Sequence, residues 1–246
     1  MLKLIRTPLI ATLAVGALAG GVALAQSTPG SPAGRAAKPI HLEEATMIIE
    51  VNATDADAGL QVFLDGEAWR SMTITDPNGR RILDVGPRGR LGRLGLTELF
   101  SESEEPTFTE LPLAKFKRKF PEGRYRFVGR TADGRKLVGS ARFSHDTPPG
   151  PKITSPPEGG VVAPDAAVAS WDAVPDSGGI EIAGYRAIVE RENPLRTFQV
   201  ELPASAHSVT IPAEYLEPDT KYKLEVQAIE RSGNQTISEL EFRTAP

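Results

Sequence analysis

The chain has 246 residues, no cysteine, a formal charge of −4, and 40% apolar against 24% charged side chains. That length accommodates two modest domains, each with its own core. The composition argues against a disordered or membrane-embedded chain, the small net charge gives no reason to expect a nucleic-acid partner, and the missing cysteine excludes disulfides and a lipoprotein attachment site. Lys3 and Arg6 precede an apolar run over residues 9–24, and Ala23-Leu24-Ala25 supplies the small residues that a signal peptidase accepts. Residues 1–25 therefore read as the signal peptide of an exported, bacterial-type protein, cleaved before Gln26, with periplasm and full secretion both open. An uncleaved anchor is the competing reading, because residues 8–25 approach the minimum spanning length. The glycines and alanines of that stretch weaken it. Residues 26–40 (QSTPGSPAGRAAKPI) have almost nothing to bury and read as a flexible linker.

The next unit is expected over residues 41–146. Period-2 or continuous apolar runs mark strands at 46–53 (TMIIEVNA), 60–64 (LQVFL), 71–75 (SMTIT), 81–85 (RILDV), 124–130 (RYRFVGR) and 136–143 (KLVGSARF). Asp76-Pro-Asn-Gly79 and Ala132-Asp-Gly134 are hairpin turns between neighbouring pairs. One helix is expected near residues 109–120, with Thr109 as its N-cap, Pro112 in the first turn, and Leu113, Phe116 and Phe120 on one face. These signals predict an immunoglobulin-like β-sandwich with an inserted short helix, so the fold class is all-β.

Residues 147–151 (TPPGP) form a short, stiff, proline-rich joint that should restrict how the two units orient. From residue 152 to 246, about seven strand signals recur at the spacing of a small antiparallel sandwich. Within them Trp171, Tyr185, Leu216-Glu-Pro218 and Thr220-Lys-Tyr222 stand in the pattern of a fibronectin type III domain, and the segment from Ala228 to Ser232-Gly-Asn234 continues it. This half of the chain resembles that family over about 95 residues. The resemblance implies a second sandwich, with Trp171 and Tyr222 in its core, and a role in recognition or spacing rather than chemistry. A carbohydrate-stacking platform is the alternative use of those aromatics. No Arg-Gly-Asp occurs.

Candidate functional residues concentrate in the first unit. The segment Val51-Asn-Ala53-Thr-Asp55-Ala-Asp57-Ala-Gly59 is similar to a calcium-binding segment of cadherin repeats, which implies that Asp55 and Asp57 are calcium ligands. A solvated turn accounts for the same residues. Arg80, Arg81, Arg88, Arg90 and Arg93 surround a glycine-rich loop at 86–92, read as mobile and able to meet anionic polysaccharide or phospholipid head groups. Pairing among surface charges is the plainer reading. Asn52-Ala-Thr54 and Asn234-Gln-Thr236 have glycosylation spacing and read as chance matches. His41, His145 and His207 are scattered, and no nucleophile elbow, zinc-binding helix or phosphate loop appears. The expectation is a non-enzymatic exported protein that uses its β-sandwich surfaces for protein or cell-envelope interaction, with no cofactor beyond the calcium suggested at Asp55 and Asp57. An accessory polysaccharide-binding protein and a calcium-assisted adhesion module are the alternatives, and a hydrolase built on the first domain is a weaker third. Neither a nucleic-acid partner nor a membrane span after signal cleavage is expected.

Overall fold

The computed structural model describes residues 38–176 and 178–246. The signal-peptide reading of residues 1–25 and most of the linker fall outside them. The first domain comprises β1 (Ile40–His41), β2 (Glu44–Asn52), β3 (Asp57–Thr75), β4 (Arg81–Val85), α1 (Gly89–Leu94), β5 (Leu96–Glu102), α2 (Leu113–Lys119), β6 (Gly123–Thr131) and β7 (Lys136–Phe143). Two expected strands, 60–64 and 71–75, are the two halves of the 19-residue β3. Its first half pairs with β2 and β5 and its second with β4 and β6, with register shifts between Asp65 and Ser71. Such irregularities bend a strand and let it serve both layers of a sandwich. Met47, Ile49, Leu60, Val62 and Leu64 from one layer share a core with Met72, Ile74, Tyr125, Phe127, Leu137 and Phe143 from the other.

The helix α2 starts at Leu113, with Pro112 as its N-cap, rather than at Thr109. Proline disfavours a helical residue before it, so residues 107–111 instead form a turn in which the Glu110 carboxylate accepts the Thr107 N–H at 3.1 Å. Phe116 enters the core. Lys117 Nζ donates to the His145 carbonyl at 2.6 Å and to Thr147 Oγ1 at 3.0 Å, so the helix holds the beginning of the joint. Burial lowers the pKa of this lysine, while Asp146 and Glu122 act in the opposite direction. The glycine-rich basic segment also differs from expectation. It contains the short helix α1, closed by Gly92 N–H to Arg88 C=O (3.1 Å) and Gly95 N–H to Leu91 C=O (2.9 Å). Gly95 makes the exit possible, since its φ of +84° suits no ordinary side chain.

The second domain comprises β8 (Ile153–Ser155), β9 (Gly160–Val162), β10 (Val168–Trp171), β11 (Ile182–Glu192), β12 (Leu195–Pro203), β13 (Ser208–Thr210), β14 (Lys221–Glu230) and β15 (Gln235–Thr244). One sheet runs β13-β10-β8, and the facing strands run β12-β11-β14-β15, with β9 against the end of β15. Trp171, Tyr185 and Tyr222 are buried between them. The Tyr185 hydroxyl accepts the Val174 N–H at 2.9 Å, and the Tyr222 hydroxyl accepts the Glu217 N–H at 2.8 Å, a tyrosine corner that pins the preceding loop. Burial removes these rings from any sugar-stacking role. The fold is two immunoglobulin-like sandwiches in tandem.

A proline joint is not all that links them. β15 pairs in parallel with β2, aligning Gln235 with Glu50, Thr236 with Val51 and Ile237 with Asn52. One sheet therefore passes from β12 through the seam to β7, and residues 38–246 form a single compact unit. No helix among the described residues is long and apolar enough to cross a membrane.

Candidate functional site

The seam is built around polar side chains that a surface reading would leave in water. Asn234 is 1% exposed. Its Oδ1 accepts the Ile49 N–H at 2.8 Å, and its Nδ2 donates to the Asp146 carbonyl at 2.6 Å and the Ser144 carbonyl at 3.1 Å. Thr236 Oγ1 donates to the Pro148 carbonyl at 2.6 Å. Asn52, 2% exposed, accepts the N–H groups of Thr54 (2.9 Å) and Asp55 (3.0 Å) and reaches Glu239 at 3.3 Å. The asparagines of both glycosylation-type sequences are thus interior parts of the seam, which closes them to a glycan. Each buried donor or acceptor satisfied here avoids a desolvation cost of about 1–3 kcal/mol, so the set fixes one orientation.

Beside the seam lies a cluster of acids. Pairing sets Glu50 opposite Gly59, Gln61 opposite Glu102 and Asn52 opposite Asp57. Because side chains alternate along a strand, these residues share the outer face, while Ile49, Val51, Ala58 and Leu60 face the core. Glu105 lies over Gly59, where a Cβ would approach its Cγ to 2.9 Å, so only glycine leaves room for it. Glu50, Glu102 and Glu105 each place a carboxylate oxygen within 4.8 Å of the others. Burial pushes the Glu50 carboxyl up to about 7. The Gln235 amide, which donates to it, pulls the other way, and Glu102, Glu105 and Glu225 reinforce the rise. A carboxyl in this position holds a proton near neutral pH or requires a cation beside it.

The aspartates singled out in the sequence have separate fates. Asp55 is exposed in the turn between β2 and β3, whereas Asp57 is buried at the first position of β3, on the acidic face. Ala56 between them has a φ of +54°, which turns the chain sharply. Sequence reading missed Glu50, Glu102 and Glu105. They lie on three segments, and only the long-range register collects them. The histidines occupy different places: His41 on β1, His145 in the joint with a ring nitrogen 2.7 Å from the Phe120 carbonyl, and His207 edge-on to Tyr185.

Comparison with known proteins places the second domain. Residues 155–242 match the model of the Fibronectin type III domain. Among solved structures, the chain is similar to the FN1–FN3 domains of chicken CNTN1, at 12% identity and a TM-score of 0.32, covering 86% of this chain and 66% of that one. A two-domain fibronectin type III segment of chicken tenascin is similar at 9% identity and a TM-score of 0.31, covering 82% and 98%. The spore cortex lytic enzyme SleM of Clostridium perfringens is similar over 40% of this chain and 28% of its own, at 16% identity and a TM-score of 0.28. No curated protein matches the chain.

Proposed function

We propose that this chain, whose residues 155–242 are a fibronectin type III domain, is a non-enzymatic exported protein that binds a protein or cell-envelope partner through its β-sandwich surfaces. In this reading the fibronectin type III domain is the support and the first domain carries the contact surface. The observation that carries it is the seam. A sheet continuous across two domains, locked by Asn234, holds one domain at a fixed attitude on the other, which suits presentation of a surface rather than closure around a substrate. The test is capture from envelope extract with the mature chain. One component should be retained through a salt wash and released by excess free chain. Retention of nothing specific, or turnover of a cell-wall glycan by the chain, overturns the reading.

Calcium-assisted adhesion is the second reading, favoured by the carboxylates of Glu50, Glu102 and Glu105 on the face that also carries Asp57. Calcium takes several hard oxygen ligands, and acids from the three segments could supply them. It predicts a melting temperature raised by millimolar calcium and restored by chelator. An unchanged melting temperature removes calcium and leaves the proton as the partner of Glu50.

A further inference from the structure

The outer face of the second layer of the first domain carries cations in an arrangement that stability does not explain. Along β6, Arg124, Arg126, Val128 and Arg130 are exposed, while Tyr125, Phe127, Gly129 and Thr131 are buried. β7 follows suit, with Lys136, Ser140 and Arg142 outward and Leu137, Ala141 and Phe143 inward. The register sets Arg124 opposite Arg142, Arg126 opposite Ser140, Val128 opposite Val138 and Arg130 opposite Lys136. On the other flank β3 places Ser71, Thr73 and Thr75 opposite Arg130, Val128 and Arg126. Two directly opposed like-charged pairs on one sheet face cost stability. Among the described residues, no carboxylate lies within ion-pairing distance of Arg124, Arg126, Arg130, Lys136 or Arg142, and Arg130 donates only to the Gly134 carbonyl at 3.2 Å.

One acid on the same side of the sheet is already paired. Asp84 on β4 pairs with Arg81 at 2.7 Å and accepts the Thr73 hydroxyl at 3.2 Å. Glu122 and Asp146 rim a depression of about 420 Å³ into which the Arg124–Arg142 end of the face opens. Between the ends, the rise of an extended strand makes the face about 20 Å long, with cationic rows about 5 Å apart.

We propose that this face binds a linear anionic polysaccharide. Its charged groups meet the clusters Arg124/Arg126/Arg142 and Arg130/Lys136, and its hydroxyls meet Ser71, Thr73, Thr75 and Ser140. The proposal rests on the reading of the chain as a binding module and names its class of partner. The face itself favours a glycan over other polyanions. None of these residues is an exposed aromatic on which a nucleic-acid base could stack. Val128, 42% exposed, is the apolar residue that projects among the arginines of β6, and Ile82 is exposed on the neighbouring β4, while Leu91 and Leu94 project from α1. No aromatic or leucine projects from β6 or β7, so a bilayer meets only short β-branched side chains there.

The test uses the mature chain with heparin and polygalacturonate as probes and neutral dextran as control. Both anionic glycans should bind, and dextran should not. An exposed charge contact is worth ~0.2–1 kcal/mol, so R124Q/R126Q/R130Q should weaken binding about threefold to a hundredfold. R88Q/R90Q/R93Q removes the same charge from α1 and the residue that caps it, and should leave affinity within about twofold. Equal losses from the two triple variants make net charge the cause and overturn the proposal. So does a fall in melting temperature for R124Q or K136Q, since relieving an opposed pair should hold or raise it. Binding to single-stranded DNA or anionic vesicles, with none to either glycan, transfers the face to another class of ligand and overturns it too. Specific capture from envelope extract by R124Q/R126Q/R130Q, with no glycan binding by the native chain, sinks this proposal and spares the broader one.

Discussion

The two domains share an architecture and treat their surface charges in opposite ways. In the fibronectin type III domain cations meet carboxylates: Arg186 with Glu201 (2.8 Å), Arg196 with Glu217 (3.0 Å), Lys221 with Glu241 (2.7 Å), Arg231 with Glu181 (2.6 Å) and Arg243 with Asp219 (2.8 Å). In the first domain Arg81 pairs with Asp84, and Arg135 with Glu67 and Asp133, but the remaining charges of β6, β7 and the seam side segregate by sign. Arginines stand opposite arginine and lysine on β6 and β7, and glutamates crowd together beside the seam. A net charge of −4 conceals this separation. The difference is that the first domain carries like charges directly opposed on one sheet face, whereas the second pairs its surface cations with carboxylates.

Breaking the seam should have the largest effect. Asn234→Ala leaves the Ile49 N–H and the Asp146 carbonyl without their partner, at about 1–3 kcal/mol for each buried group. We expect about 3 kcal/mol of destabilisation, with the single urea transition splitting into two as the domains lose each other. A single unsplit transition at native midpoint would show the seam to be incidental.

Glu50→Gln tests the acidic side next, and the sign follows from linkage. The folded protein holds a proton on Glu50 up to pH about 7, while the unfolded chain releases it near 4.5, the ordinary value of a glutamate. Stability is therefore fully present below pH 4.5, falls as pH rises through that interval, and is flat above it. The glutamine variant should match the native protein at pH 4 and exceed it by up to about 3 kcal/mol at pH 8. Parallel stability–pH curves for the two proteins would refute this account.

Smaller effects sharpen the contrast within each domain. Tyr222→Phe removes the acceptor of the Glu217 N–H and should cost the fibronectin type III domain about 1–2 kcal/mol by denaturant titration. The smallest effect is the most telling, because one kind of substitution should act with opposite sign in the two domains. Arg124→Gln relieves its opposition to Arg142 and should stabilise by a few tenths of a kcal/mol. Arg186→Gln loses its bonds to Glu201 and Gln227 and should destabilise by up to ~1 kcal/mol. The same sign for both would erase the distinction.

Much of the fold was legible because it is local. The turn at Asp76-Pro-Asn-Gly79 carries its own chemistry: Asp76 Oδ1 accepts the N–H groups of Asn78 (2.9 Å) and Arg80 (2.8 Å). The spacing of Trp171, Tyr185 and Tyr222 likewise marks a domain whose core needs rings at those places. The cationic face also had a signal. Arg124, Arg126 and Arg130 alternate with buried residues, and the short turn after Thr131 fixes their register against β7. Placing the basic feature at Arg80–Arg93 around the glycine-rich loop passed over it.

The sequence by itself determined the β class, the fibronectin type III domain and its buried aromatics, since periodicity, turn residues and large side chains act over a few neighbours. Only the tertiary structure decided the seam. Asn52 and Asn234 look like ordinary surface asparagines until β15 comes alongside β2 and buries both. It also decided that Asp57, rather than Asp55, stands on the face where Glu50, Glu102 and Glu105 converge. The physical reason is common to both: a strand's alternation is written in its own residues, but the strand it will lie against is set by burial and hydrogen bonding across the whole chain.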